Sequence, residues 1–473
     1  MFLGKPSLTV GALIGLLLTA AGLAAQTVDR AKAPRTPPIP GYKLPPVSDT
    51  KLPNGLGVVL VHDGRFPLVT ARLNFQAGTK FDPKDLPGLA EAVAALLTEG
   101  TKTRTARQLS EETDALGGSL AGGAGPDALT VSGSALAENL PRLLELMADV
   151  SRNATFPQDE VDLYKQNRIQ NLQQERSQPS FLASQKFSEV VFGASPYAHI
   201  APTEEAVFKL DLKVLAGFRD TWLVPNQATL ILVGKLPADE ELMKILVQRF
   251  GSWRQKPVPA APKAEPPAPR RQIVLVDRPG SVQADIHVGR LAPIRTGPEY
   301  FPLMVGNTIL GGGTNSRMFK NIREKEGFAY DAHSTYATKR DAAVFEAVTE
   351  VRNEVVEPAL KAVLSELDQM ASAPVAATEL SNIKNYVAGL YLLRLETQDG
   401  VATQLNAMNT LGLPKDYLET YTTRVRSVEP DQVLTVAKKY MAPGQATIVV
   451  VGDATKIGEA LKKFGDVTIT KAN

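Results

Sequence analysis

The chain is 473 residues long, 44% hydrophobic and 22% charged, an ordinary globular composition with room for two or more domains, each with its own core. A formal charge of +2 gives no long-range field and argues against nucleic acid or an anionic surface as partner. Cysteine is absent, which excludes disulfides, thiolate metal sites, cysteine nucleophiles and lipid attachment at cysteine.

At the N-terminus Lys5 precedes the apolar run VGALIGLLLTAAGLAA, residues 10–25. Gly22 and Ala24 fit the −3 and −1 positions of a signal-peptidase site. Residues 1–25 are therefore expected to be a signal peptide, and the mature protein to be exported, periplasmic or extracellular. The run is short for a membrane span, an uncleaved anchor is the alternative, and no later segment could cross a bilayer. A proline-rich segment, 26–45, follows. Strand patterns come next as GLGVVLVHD (55–63) and PLVTARLNFQAG (67–78), then the helical GLAEAVAALLTEGT (88–101). Two longer helical patterns, LAENLPRLLELMADVSR and QDEVDLYKQNRIQNLQQER, precede the strand NQATLILVG at 226–234.

QKPVPAAPKAEPPAPR, residues 255–270, reads as an extended, semi-rigid linker between domains at 46–254 and 271–473. The second domain repeats the first. RQIVLVDRP and VQADIHVGRL form its opening strands, FPLMVGNTILGGGT (301–314) lines up with residues 86–101, and GQATIVVVG (444–452) answers NQATLILVG. Strand pairs followed by helix runs indicate an α+β fold: two tandem homologous domains, each a mainly antiparallel sheet packed with helices.

These segments carry a resemblance. The run from Asn54 to Thr101, with LGG at 116–118, FPQDE at 156, SPYAH at 195–199 and ILGGGTNSRMFKNIREKEGFAY at 309–330, is similar to the M16 family of pitrilysin, insulinase and mitochondrial processing peptidase. It covers the chain from about residue 45 onward. The family's zinc motif is His-x-x-Glu-His on the helix that here begins at Gly88. Histidines at i and i+4 share a helix face and take two corners of a zinc tetrahedron, while the glutamate activates water. Position by position, the first histidine is Glu91, the glutamate Ala94 and the second histidine Ala95. The downstream glutamate ligand falls near Gln170 or Asn171.

At most one potential ligand remains, so no cofactor is expected on this chain. Glu91 reads as an acid compensating the helix dipole. His62, His199, His287 and His333 are too scattered to rebuild a local site. The glycine run 311–313 reads as a helix-ending turn, since no P-loop lysine follows. The resemblance assigns 119–133 to the strand on which substrate peptides add. Its glycines and proline are expected to weaken that pairing.

In family members of two domains or two subunits, the C-terminal-type half lends an arginine and a tyrosine to the other half's zinc site; Arg323 and Tyr330 match them. A helix over NSRMFKNIREKE, a stop at Gly327 and a strand over FAYDAHSTYA would aim both into one cleft. The resemblance thus implies a zinc-less subunit, inactive alone, whose homologous partner bears an intact His-x-x-Glu-His and the zinc, and which acts on peptides. The alternative is a pseudopeptidase serving as a peptide-binding or structural scaffold in the cell envelope. A peptidase with a rebuilt metal site is the third reading.

Overall fold

The computed structural model describes residues 43–262 and 265–471. The expected signal peptide and most of the 26–45 segment lie outside them. Two six-stranded sheets organise the rest. The first contains β1 (Val47–Lys51), β2 (Gly57–His62), β3 (Leu68–Phe75), β4 (Ser119–Ala124), β5 (Leu129–Leu136) and β6 (Ala228–Gly234), in the order β1-β2-β6-β3-β5-β4. The second contains β7 (Gln272–Asp277), β8 (Gln283–Ala292), β9 (Ala329–Thr338), β10 (Ala343–Arg352), β11 (Thr447–Gly452) and β12 (Val467–Lys471), ordered β12-β7-β11-β8-β10-β9. Five consecutive strands are equivalent in the two sheets, β2-β6-β3-β5-β4 in the first and β7-β11-β8-β10-β9 in the second. The outer edge comes from the N-terminal side in the first and from the C-terminal side in the second. Most neighbours are antiparallel, with β2–β6, β7–β11 and β7–β12 parallel.

Consecutive strands β2 and β3 are not neighbours, because β6 lies between them. The glycine closing the repeated strand permits this crossing. Gly234 sits at φ +144, and a Cβ there would meet the Leu68 carbonyl oxygen at 2.3 Å. The turn is sealed by Asp63 N–H to Gly234 O at 2.8 Å and Lys235 N–H to Leu68 O at 3.0 Å. In the second sheet Arg278 N–H donates to Gly452 O in the equivalent place, at 2.9 Å. β6 and β11 are buried nearly throughout, which accounts for their unbroken β-branched and leucine sequence.

The first half carries helices α1 (Leu89–Leu96), α2 (Ala106–Ala115), α3 (Leu140–Asn153), α4 (Gln158–Ser177), α5 (Pro179–Phe192), α6 (Glu204–Phe208), α7 (Leu212–Trp222) and α8 (Asp239–Phe250). The second carries α9 (Tyr300–Gly311), α10 (Val356–Ser372), α11 (Ala377–Arg394), α12 (Gln398–Leu411), α13 (Tyr417–Arg426), α14 (Pro430–Tyr440) and α15 (Ala454–Lys462). The described part of the 255–270 linker forms no helix or strand. No helix among the described residues is long and apolar enough to cross a membrane.

The halves exchange a helix each. From the first half, α5 covers the second sheet, packing Leu182, Phe187 and Val191 on Val274, Val344 and Val449. From the second, α12 covers β3 and β6, but that seam is polar. Asn74, fully buried, donates to Thr410 Oγ1 at 2.9 Å and accepts from Asn409 at 3.1 Å, while Arg72 pairs with Asp399. These bonds spare the buried Asn74 amide the cost of being left unsatisfied.

β4 is an edge strand, and it pairs with β5 along its whole length, from Ser119 opposite Ser134 to Ala124 opposite Leu129. Pro126 lies in the hairpin turn, outside the strand. Gly122 admits α1: a Cβ there would stand 2.2 Å from the Ala94 carbonyl oxygen. Gly122 is thus required by the close packing of helix on strand, and the glycines leave the pairing with β5 intact.

Candidate functional site

Helix α1 starts at Gly88, whose φ of +90 and contact with Pro202 leave no room for a side chain. Asp82 caps it from upstream, accepting Gly88 N–H at 2.8 Å and Ala90 N–H at 2.9 Å. Burial nonetheless pushes the Asp82 carboxyl up to about 7, against the pull of those two amides. Ala94 is buried under β4, Ala95 is exposed, and Glu91 between them and the cap is half-buried.

Facing this helix, α4 is set by FPQDE. Phe156 is fully buried at φ 51 and Pro157 precedes the first turn. Asn171 and Gln170 are exposed on α4; Asn171 shares a helix face with Arg168 and Glu175. The charges that act on Glu91 are those two. Burial raises the Glu91 carboxyl, Arg168 draws it down and Glu175 pushes it up. Arg168 and Glu175 are paired at 3.0 Å. Behind them the Tyr164 phenol is pushed up to about 12 by burial and then by Glu91.

This donor set does not fit zinc. It offers two carboxylates, Glu91 and Glu175, the second tied to the Arg168 guanidinium, and two methyl groups, and among the described residues no three His, Cys, Asp or Glu side chains converge as metal ligands. The histidines stand apart. His62 pairs with Asp239 and His333 with Asp331, each at 2.7 Å, and His287 is buried between Asp285 and Glu346. His199 alone reaches the cavity beside Glu91.

That cavity measures about 870 Å³ and is walled by Asp82, Glu91, Tyr197, Trp222 and Lys339, with Pro259 and Pro262 of the linker. Under it lies a buried ionic cluster joining the halves. Lys80 Nζ is 3.0 Å from both Asp127 and Asp341, and Tyr197 O–H donates to Asp127 at 2.5 Å. Sequence reasoning missed this cluster, Arg168 and Glu175. Lys80, Asp127 and Asp341 are far apart along the chain, and nothing in their local pattern links them.

Arg323 and Tyr330 are brought together. Arg323 lies in a π-helical turn, Phe319–Lys325, where the sequence suggested an ordinary helix. The wider turn shows in Glu326 N–H donating to Asn321 O at 2.9 Å. Gly327, at φ +64, reverses the chain, and Tyr330 is the second residue of β9. Ile322 and Met318 anchor the turn in the core, and Asn321 donates to Glu366 at 2.7 Å. The Arg323 guanidinium is sandwiched by two rings, 4.6 Å from the centroids of both Phe319 and Tyr330. Tyr330 is 84% exposed and so is not packed into the sheet. Among the described residues no hydrogen bond or ion pair engages the guanidinium or the phenol hydroxyl. Both polar groups are free to meet a ligand on the open side of β9.

Comparison with known proteins adds the following. Residues 57–197 match the family model described as insulinase (peptidase family M16), and residues 209–387 match that of the peptidase M16 inactive domain. An uncharacterized zinc protease of Streptomyces coelicolor is 23% identical over 401 residues, 83% of this chain and 86% of its own. The crystal structure of a peptidase M16 inactive domain from Pseudomonas fluorescens superposes with a TM-score of 0.81 at 26% identity, covering 86% of this chain and 98% of that one. The periplasmic protease PqqL of Escherichia coli shares the fold, with a TM-score of 0.74 at 17% identity over 89% of this chain and 47% of its own.

Proposed function

The chain belongs to the M16 peptidase family, and on that premise we propose that it is the zinc-less subunit of a heteromeric M16-type metallopeptidase. A homologous partner with an intact His-x-x-Glu-His supplies the metal, and this chain supplies Arg323 and Tyr330. The observation that carries the reading is the Arg323–Tyr330 stack itself. A tyrosine left 84% exposed, with an arginine held on its face and no partner for either polar group, is poised for something outside the chain. The donor set around Glu91 supports the same division of labour, because the one further carboxylate that acts on Glu91, Glu175, is already paired with Arg168.

In this arrangement the guanidinium holds a backbone carbonyl of an extended peptide. The phenol donates to the carbonyl oxygen under attack as that oxygen gains charge. The stacking keeps both donors oriented before substrate arrives, so little reorganisation is needed in the transition state. Export to the periplasm rests on the leader at residues 1–25 and is in keeping with the periplasmic relative.

The test is co-expression with a homologous subunit bearing His-x-x-Glu-His, followed by cleavage assays on an unfolded peptide. Arg323→Ala and Tyr330→Phe are each expected to lower kcat by roughly 10²- to 10³-fold in the complex. Unchanged rates would reject the reading. They would favour a pseudopeptidase scaffold in the cell envelope, for which the large cavity beside Glu91 is the supporting feature.

A further inference from the structure

The Arg323 guanidinium makes no hydrogen bond and no ion pair among the described residues; Phe319 and Tyr330 hold it through their rings alone. Where it stands is therefore inherited from the backbone of the π-helical turn that carries it, Phe319–Lys325. That backbone is gripped at two residues four apart. Arg317, just before the turn, is bound by both oxygens of Glu379 on α11, Nε to Oε1 at 3.0 Å and Nη2 to Oε2 at 2.6 Å. Asn321, within the turn, donates from Nδ2 to Glu366 Oε1 on α10 at 2.7 Å. The backbone oxygen of Asn321 also accepts the Glu326 N–H that closes the wide turn. This turn takes one residue more than an α-helical one, and that sets the angle at which Arg323 leaves the helix. Asn321 thus holds the shape of the turn with its main chain and the position of the turn with its side chain.

Glu366 is out of keeping with its place on α10. The buried row of that helix runs through Val356, Ala359, Leu360, Val363, Leu367 and Met370, and Glu366 stands among them at 4% exposure. Among the described residues Asn321 gives the one hydrogen bond that reaches its carboxylate. The guanidinium that feels its charge, Arg317, is bonded to Glu379 instead. A carboxylate taken out of water for a single neutral amide is destabilising on balance, and an apolar residue of similar volume would pack there without that cost. What the carboxylate supplies and leucine could not is a directional bond, aimed at one residue of the turn.

We propose that the Glu366–Asn321 bond is a positioning device for the Arg323–Tyr330 pair. It fixes the wide register of Phe319–Lys325, and so keeps the guanidinium between the two rings, without itself touching substrate. The use of that pair in peptide hydrolysis rests on the function proposed above; the control of its geometry does not.

The test has one arm on the isolated full chain and one on the complex. In chain labelled with ¹⁵N-arginine, the Nε–Hε signal of Arg323, identified by its loss in Arg323→Lys, is shifted by the rings that flank it. Asn321→Leu combined with Glu366→Leu removes the bond and keeps the packing volume. This leucine pair is expected to melt no lower than the parent, while the Arg323 signal moves to the position of an exposed arginine. In complex with a zinc-bearing partner its kcat is expected to fall by roughly 10- to 10²-fold, a loss of rate without a loss of stability. The reversed pair, Asn321→Asp with Glu366→Gln, lets a glutamine amide donate to a carboxylate across the same span, and is expected to restore both signal and rate. An Arg323 signal that stays in place in the leucine pair, or a reversed pair that restores nothing, would overturn the proposal. If Arg323→Ala itself leaves the rate of the complex unchanged, the proposed function falls, and the signal of the isolated chain alone decides the positioning role.

Discussion

Replacing Lys80 with methionine isolates the energetics of the ionic cluster that ties the two halves together. Lys80 is 4% exposed and Asp127 6%, so their 3.0 Å contact is a fully buried pair. The second contact of Lys80, to Asp341, counts for little, because that carboxylate is 61% exposed; such pairs contribute about 0–1 kcal/mol. Methionine keeps the aliphatic volume and removes the charge, leaving Asp127 buried without its closest cation. Breaking one side of a buried pair costs about 3–5 kcal/mol. Asp127 retains the Tyr197 hydroxyl at 2.5 Å and the Arg340 N–H at 2.8 Å, which holds the loss at the lower end of that range, about 3 kcal/mol. Adding Asp127→Asn removes the orphaned charge, so the double variant should regain most of the stability. Urea denaturation followed by tryptophan fluorescence measures both. A single variant within about 0.5 kcal/mol of the parent, or a double variant no better than the single, would refute the reasoning.

Gly122→Ala should destabilise by about 2 kcal/mol, because its Cβ would collide with the α1 backbone, whereas Gly123→Ala, which meets nothing within 4 Å, should be near neutral; thermal melts of the pair decide. His287 supplies a pH dependence. Burial lowers its affinity for a proton, but hydrogen bonds from the ring to Asp285 and Glu346 outweigh that and raise it from 6.5 to about 9. A raised folded value means that the stabilisation is complete below pH 6.5 and fades as the pH climbs through 9. Denaturation midpoints should therefore fall across that window in the parent, and His287→Gln should lose that part of the fall.

Much of the architecture was legible because the chain states it twice. The recurrence of NQATLILVG as GQATIVVVG marks β6 and β11, and the glycine at the end of each proves to be where the preceding strand connection crosses. The order of strands was not legible. Local periodicity shows β2 and β3 as successive strands but cannot reveal that β6, far along the chain, inserts between them. The exchange of α5 and α12 was hidden for the same reason. At the site, Arg323 and Tyr330 could be placed because helix, glycine and strand follow each other within a few residues. Arg168 could not, because α4 is polar on almost every face, with only Val161 and Leu172 buried, and gives no stripe from which to orient it. The role of Gly122 was not legible either: it lets α1 approach β4, a tertiary property that propensity does not encode.

The proposed division of labour between this chain and a zinc-bearing partner is tested most directly on the isolated polypeptide. Purified full-length chain, dialysed against zinc and then analysed for metal, should carry none in stoichiometric amount and should not cleave unfolded peptides. One zinc per chain accompanied by peptide cleavage that a chelator abolishes would contradict the account.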